Sequence, residues 1–109
     1  MLQKHYRLPA STRRIRSHHH VTPLFTVRIA STNFPQSRFG FVVGKSVDKR
    51  ATARNRIRRL LRSCVETLLP SIKEGHDILF FPKREILAMK QEDLYNEVHT
   101  FFEAKQLLK

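Results

Sequence analysis

Apolar and polar residues alternate from Leu24 to Ala30. Phe25, Val27 and Ile29 point one way, and Leu24, Thr26 and Arg28 the other. A period of two sends successive side chains to opposite faces, so this segment is predicted as a half-buried strand. Ser31 to Ser37, containing Asn33 and Pro35, is predicted as a turn or hairpin loop. Alternation resumes from Arg38 to Gly44, with Phe39, Phe41 and Val43 on one face. Gly40 and Gly44 leave the other face low, so another segment can approach the backbone there. From Lys49 to Leu69 there is no Gly or Pro, and Pro70 ends the run. Ile57, Leu60, Leu61, Cys64, Val65, Leu68 and Leu69 recur at helical spacing, which predicts an amphipathic helix about 30 Å long. Asn55, Arg58, Arg59 and Arg62 cluster opposite this stripe and Arg56 flanks them. Arg54 lies nearer the stripe, where its stem can pack while its head reaches out. Asp77 to Phe81 is predicted as a short apolar strand ended by Pro82. Glu92 to Leu108 is predicted as a helix burying Leu94, Val98, Phe101 and Phe102, with Leu107 and Leu108 trailing. Residues 1–20 are polar and basic, and Ser11 or Thr12 can cap a short helix there. A strand–helix–strand unit thus lies between an N-terminal hairpin and a C-terminal helix. The fold class is α+β, a sheet with helices packed on it.

Composition narrows the class. With 109 residues, 40% of them hydrophobic, the chain can bury one modest core, so residues 1–109 are expected to form a single domain. Eight Phe argue against intrinsic disorder, and three Gly with five Pro against a linker or collagen-like chain. No run approaches the roughly 18 apolar residues of a membrane helix, and no secretory signal is visible at Met1–Arg7. Neither a membrane nor an obligatory protein partner is expected. A lone cysteine, Cys64, cannot close an internal disulfide, which leans towards a reducing, cytoplasmic setting. It falls within the apolar stripe and is read as core rather than as a catalytic thiol.

Charge changes the picture most. The formal net charge is +12, but residues 1–62 hold 15 Lys and Arg against one acid, Asp48, while residues 63–109 hold six against eight. The anion-binding surface is therefore encoded in the first part of the chain. Its densest stretch, Lys45 to Arg62, carries eight cations: Lys45, Lys49, Arg50, Arg54, Arg56, Arg58, Arg59 and Arg62. Guanidinium groups on one helical face match phosphate oxygens by forked hydrogen bonds, and the N-terminus of the helix adds unpaired N–H groups and the positive end of its dipole. A solvated basic helix face is the plainer reading of a charge run. Density, missing acids and the N-terminal position all favour a polyanion instead. His18-His19-His20 is read as a polar segment rather than a metal site, because neighbours on a strand diverge and no Cys or acid is near in sequence. Phe80-Phe81 and Phe101-Phe102 are read as strand and helix core.

Residues 38–62, Arg-Phe-Gly-Phe-Val-Val-Gly-Lys-Ser-Val-Asp-Lys-Arg-Ala-Thr-Ala-Arg-Asn-Arg-Ile-Arg-Arg-Leu-Leu-Arg, closely resemble the signature of the protein subunit of bacterial ribonuclease P. Its hallmark is the Arg54-Asn55-Arg56 triplet followed by Arg58, Arg59 and Arg62. Met1-Leu2-Gln3-Lys4 with Arg7-Leu8 also looks like that family's start, and the later strand and helix fall in the expected order. The resemblance implies a compact α/β sandwich with a roughly four-stranded sheet, of the kind found in a ribosomal-protein domain. It also implies a left-handed crossover from the strand near 38–45 to the strand near 77–81. It further implies that the catalyst is an RNA, which uses magnesium ions to hydrolyse the phosphodiester at the mature 5′ end of precursor tRNA. By the same resemblance the protein is expected to hold no metal firmly and to supply no catalytic side chain. It binds the catalytic RNA through Arg54, Asn55, Arg56, Arg58, Arg59 and Arg62, with Lys45, Lys49 and Arg50 alongside. It also binds the precursor's 5′ leader in a cleft between the first helix and the sheet.

The leader region departs from the family pattern. Pro9 to Ser17 carries no aromatic, and the cleft-facing strand position is Arg28. Where relatives would stack aromatics on leader bases, an electrostatic groove of Arg13, Arg14, Arg16 and Arg28 is expected here. Two other function classes compete. A self-sufficient metal nuclease needs converging carboxylates, and the basic half offers only Asp48. A structural RNA-binding protein of ribosomal type would share the charge and the fold without needing the 38–62 block.

Overall fold

The computed structural model describes residues 6–8 and 18–109. The short helix expected around Ser11 or Thr12 lies outside the described residues. In chain order the elements are β1 (His18–Val21), β2 (Phe25–Ser31), β3 (Arg38–Phe41), α1 (Ala51–Leu68), β4 (His76–Pro82) and α2 (Gln91–Ala104). Short 3₁₀ turns at Leu69–Ser71 and Arg84–Ala88 follow α1 and β4. The strands form one four-stranded sheet in the order β1-β2-β4-β3. β2 is antiparallel to both β1 and β4, and β3 runs parallel to β4. The sheet is therefore mixed, and α1 is the crossover between its parallel pair.

This order corrects one expectation. β2 and β3 follow each other in the chain, yet they are not a hairpin, because β4 lies between them. The reason is in the residues of β4. Ile78, Leu79 and Phe80 are apolar at three successive positions and all are buried, so both faces of the strand need cover and it takes a central place. Phe80 pairs with Val27 on one side and Phe41 on the other. The hairpin that does form joins β1 to β2. The Thr22 hydroxyl closes it, donating to the Phe25 carbonyl at 2.8 Å and accepting the Phe25 N–H at 3.1 Å. His-His-His-Val has no alternation to announce a strand, and β1 owes its form to pairing with β2.

Both helices contribute to one core. Phe25, Val27, Ile78 and Phe80 of the sheet meet Ile57, Leu61, Cys64 and Val65 of α1 and Leu94, Val98, Phe101 and Phe102 of α2. Phe80 is the hub of the aromatic cluster. Its ring lies edge-on to Phe25 and Phe102 at 5.5 and 6.1 Å, and flat against Phe41 at 5.5 Å. Phe81 points to the opposite face, so only the first of the two adjacent phenylalanines belongs to this core.

Two element ends fall short of the sequence expectation. β3 stops at Phe41 rather than Gly44, because the chain turns through Gly44–Val47, with the Val47 N–H donating to the Gly44 carbonyl at 3.1 Å. α2 stops at Ala104 rather than Leu108. Gln106 adopts φ +58°, a left-handed helix-ending conformation, and swings the tail back onto the end of α1. There Leu108 pairs with Ile72, and Lys73 N–H donates to the Leu107 carbonyl at 2.7 Å. Gly40 serves the close approach expected of it. A Cβ there would lie 2.5 Å from Leu79 Cδ2 and 3.4 Å from Leu8 Cβ. Leu8 is tied to this edge by its N–H, which donates to the Phe39 carbonyl at 2.8 Å. Gly44 is open by comparison, with Ser46 Oγ at 3.9 Å.

Truncating the hub of the aromatic cluster should be costly. Phe80→Ala is expected to lower the unfolding free energy by about 3–5 kcal/mol, read as a lower urea midpoint at an unchanged slope.

Candidate nucleic-acid interface

α1 turns its apolar stripe to the core, and this fixes where its cations go. Ala53, Ile57, Leu61, Cys64, Val65 and Leu68 are buried, while Asn55, Arg56 and Arg59 are exposed and Arg54, Arg58 and Arg62 half-buried. Burial pushes the Cys64 thiol up to about 11, which fits a packing role. Lys45, Lys49 and Arg50 stand exposed on the loop leading into the helix. The structure thus brings all nine positions of the expected RNA-binding set to one end and one face of α1. Asn55 and Arg59 line two adjoining grooves on this face. One, of about 620 Å³, runs from α1 to Leu87 of the Arg84–Ala88 turn and includes Arg50 and Arg56. The other, of about 450 Å³, is bordered by Arg58, Arg62 and Glu66.

The members of the set are not equivalent. Arg54 folds back along the loop, and its Nη1 donates to the carbonyls of Asp48 and Lys49 at 3.0 and 2.8 Å. Arg58 donates to the Val43 carbonyl at 3.1 Å and to Asn55 Oδ1 at 2.7 Å. These two arginines tie the 43–49 loop to the helix, and Asn55 aims a guanidinium. The Arg62 guanidinium lies 5.9 Å from the centre of the Phe41 ring. By contrast, the side chains of Lys45, Lys49, Arg56 and Arg59 have no hydrogen-bond or ion-pair partner among the described residues. They are the cations of the block with their whole bonding capacity left for an external anion.

Asp48, the one acid of the basic half, is buried at the helix entrance. Its Oδ1 accepts the Arg50 backbone N–H at 2.9 Å and Arg50 Nε at 3.1 Å, and its Oδ2 accepts Arg50 Nη2 at 3.0 Å. Arg84 Nε approaches the same Oδ2 at 3.4 Å. The hydrogen bonds from the Arg50 side chain, then that from its backbone N–H, hold the Asp48 carboxyl well below the usual carboxylate range. The helix N-terminus is therefore not left wholly to an outside anion, because this carboxylate already occupies part of it.

The sheet face away from the helices carries a second group. Arg28 lies there, its guanidinium 4.8 Å from the centre of the Phe81 ring. Arg38 forks onto Asp77, with Nε–Oδ1 3.0 Å and Nη2–Oδ2 2.8 Å, and lies 4.0 Å from the Phe34 ring centre. Arg13, Arg14 and Arg16 lie outside the described residues. Sequence reasoning missed Phe81 and Arg84. The first was hidden by its apolar neighbours, and the second sits in a segment with no charge run. His18 and His20 share the helix side of β1, where burial, then Lys105, lowers the His20 pKa. Among the described residues no three His, Cys, Asp or Glu converge as a metal site. Asp48 and Asp77 are both held by arginines. No helix among the described residues is long and apolar enough to cross a membrane.

A sequence model of the family Ribonuclease P matches residues 4–106. The chain belongs to the ribonuclease P protein family. A ribonuclease P protein component from Synechococcus sp. (strain JA-2-3B'a(2-13)) is 37% identical over 88 residues, covering 81% of this chain and 66% of that protein. The component from Synechocystis sp. (strain ATCC 27184 / PCC 6803 / Kazusa) is 31% identical over 85 residues, covering 78% and 68%. The chain thus spans about two thirds of the length of these curated relatives, and 57% of two others. The same fold appears in a solved Staphylococcus aureus RNase P protein, a mutant with defective mRNA degradation activity. The TM-score is 0.83 at 22% identity, over 97% of this chain and 92% of that one. The Thermotoga maritima RNase P protein gives 0.75 at 22% identity, over 87% and 93%. The four-stranded mixed sheet and the two helices of the described residues match the fold of these solved RNase P proteins.

The Asp48 geometry sets an acid dependence. A carboxyl whose pKa is depressed by folding stabilises the protein fully above its unfolded value of 3.8 and loses that contribution as pH falls through the folded value. The stability gap between the native chain and Asp48→Asn should therefore be constant from neutral pH down to about 4 and shrink below it, read by urea unfolding across pH.

Proposed function

We propose that this chain acts as the RNA-binding subunit of a ribonuclease P ribonucleoprotein that removes the 5′ leader from precursor tRNA. The observation that carries this reading is the exposed set Lys45 and Lys49 on the loop entering α1 and Arg56 and Arg59 on its outward face, without hydrogen-bond or ion-pair partners among the described residues. A catalytic RNA is the polyanion this face suits. Guanidinium and ammonium groups on a rigid helix replace condensed counterions around phosphates, so the two RNAs and their magnesium assemble at physiological salt. Hydrolysis falls to the RNA. The commitment of Asp48 and Asp77 to arginines supports leaving magnesium there, and no protein side chain takes a chemical step.

The precursor's leader is assigned to the sheet face away from α1 and α2, where the Arg28 guanidinium lies 4.8 Å from the centre of the Phe81 ring. The positive charge of Arg28 attracts the leader's phosphates, and the neighbouring ring offers an apolar surface to a base. With Arg13, Arg14 and Arg16 on the preceding segment, this makes leader recognition more electrostatic than aromatic. In this reading the protein works in the cytoplasm, beside its RNA.

Incubating the purified chain with precursor tRNA and magnesium, with and without ribonuclease P RNA, tests the assignment. Cleavage is expected only with the RNA, and at lower magnesium when the protein is added. Cleavage by the protein alone, or no effect on the RNA, overturns it. Arg59→Ala should leave thermal unfolding unchanged and lower the salt slope of RNA binding by about 0.7–0.9.

A further inference from the structure

The 620 Å³ groove has two walls, and only one is α1. The other is the Arg84–Ala88 turn, which contributes Leu87. At the helix-entrance end, Asp48 joins the two walls. Its side chain is only 4% exposed, yet it holds Arg50 and Arg84, whose side chains are 64% and 67% exposed. A buried anion thus sets two guanidinium groups side by side at the surface. Without it, two like charges this close would repel and spread. The carboxylate takes Nε and Nη2 of Arg50 and approaches Nε of Arg84, so an Nη group of each fork remains for a further acceptor. Successive phosphates of a polynucleotide are such acceptors, and Arg50 of this pair lines the same groove as Arg56 and Arg59.

We infer that the RNA-binding surface extends across this groove onto the 84–88 turn. Arg84 is a backbone contact from the distal half of the chain, and Asp48 is a positioning residue that aligns Arg50 and Arg84 for it. This rests on the reading of α1 as the RNA-binding face. It adds a second wall, supplied by the part of the sequence whose net charge is negative.

The inference makes a prediction opposite in sign to that of net charge. Asp48→Asn adds one positive unit to the formal +12, so charge alone predicts tighter RNA binding. Lost positioning predicts weaker binding, by about tenfold. The measurement is the affinity of the full chain for a labelled ribonuclease P RNA transcript, titrated with salt. Circular dichroism confirms the fold of each variant. Arg84→Ala, at an exposed side chain that leaves the core untouched, should lower the salt slope by about 0.7–0.9. Lys73→Ala, of equal charge change but near the far end of α1, should leave the slope as it is. In the Asp48→Asn background, Arg84→Ala should add little, because the contact is already misaligned. Tighter binding by folded Asp48→Asn overturns the inference. So does an Arg84→Ala slope no different from that of Lys73→Ala. Arg59→Ala separates the two levels: a slope lowered there but not by Arg84→Ala removes only the second wall. No loss at either site removes the reading of α1 as well.

Discussion

The central position of β4 governs the arrangement of everything else. A strand with apolar residues at consecutive positions must be covered on both faces and flanked on both edges. β2 takes one edge antiparallel and β3 the other in parallel. A parallel neighbour cannot be reached by a tight turn, so the chain between β3 and β4 has to cross the sheet, and α1 is that crossing. Once α1 lies on the sheet with Ile57, Leu61 and Val65 inward, the Arg-rich positions have only the outside left to them. Hydrophobic burial thus determines where the charge is presented, although no cation takes part in the core.

Such a concentration of like charge has to be tolerated by the fold that carries it. The structure offsets it without spreading acids along the helix. Arg54 and Arg58 spend their donors on backbone carbonyls of the 43–49 loop, which are dipoles rather than counter-charges. They stabilise the loop while keeping the local field positive. Asp48 is the one full anion in this half of the chain, and its carboxylate is taken up by Arg50 and Arg84, away from Arg56 and Arg59. A surface acid paired with Arg56 or Arg59 would have been worth little in stability, since exposed pairs contribute about 0–1 kcal/mol, and would have weakened the attraction for phosphate.

Much of this was legible in the sequence, and the remainder was hidden for physical reasons. The period of two in Phe25–Ile29 and the helical spacing from Ile57 to Leu68 reported burial directly, because each pattern needs only its own residues to be read. Strand order is different. Nothing within Ser31–Ser37 tells that β4, nearly forty residues later, displaces β3 from β2; that depends on a distant segment needing two covered faces. β1 was silent because a histidine run carries no amphipathic signal and its form comes from its partner. The end of α2 was misjudged at Leu107 and Leu108, which look like helix core but are buried by the turn at Gln106 instead. On the basic face of α1, the 38–62 block contains the near-sequence cations that the structure groups there. It could not show that Arg54 and Arg58 are partly committed to the loop, nor that Arg84 comes to the same carboxylate as Arg50.

That last point bears on how a basic protein becomes selective for one RNA. Net charge acts at a distance of about a Debye length, 8–10 Å at moderate salt, and attracts any polynucleotide alike. Selectivity needs cations at fixed separations, so that a rigid RNA surface matches them and other polynucleotides do not. Long flexible side chains lose much rotamer freedom on binding unless something holds them first. Here Asn55 aims Arg58, the Phe41 ring lies near Arg62, and Asp48 aligns Arg50 with Arg84. The polar and aromatic residues around the basic face act on the geometry of the charge rather than its amount. In the proposed function, the exposed Arg56 and Arg59 between them are left to adapt to the phosphates that this geometry brings into reach.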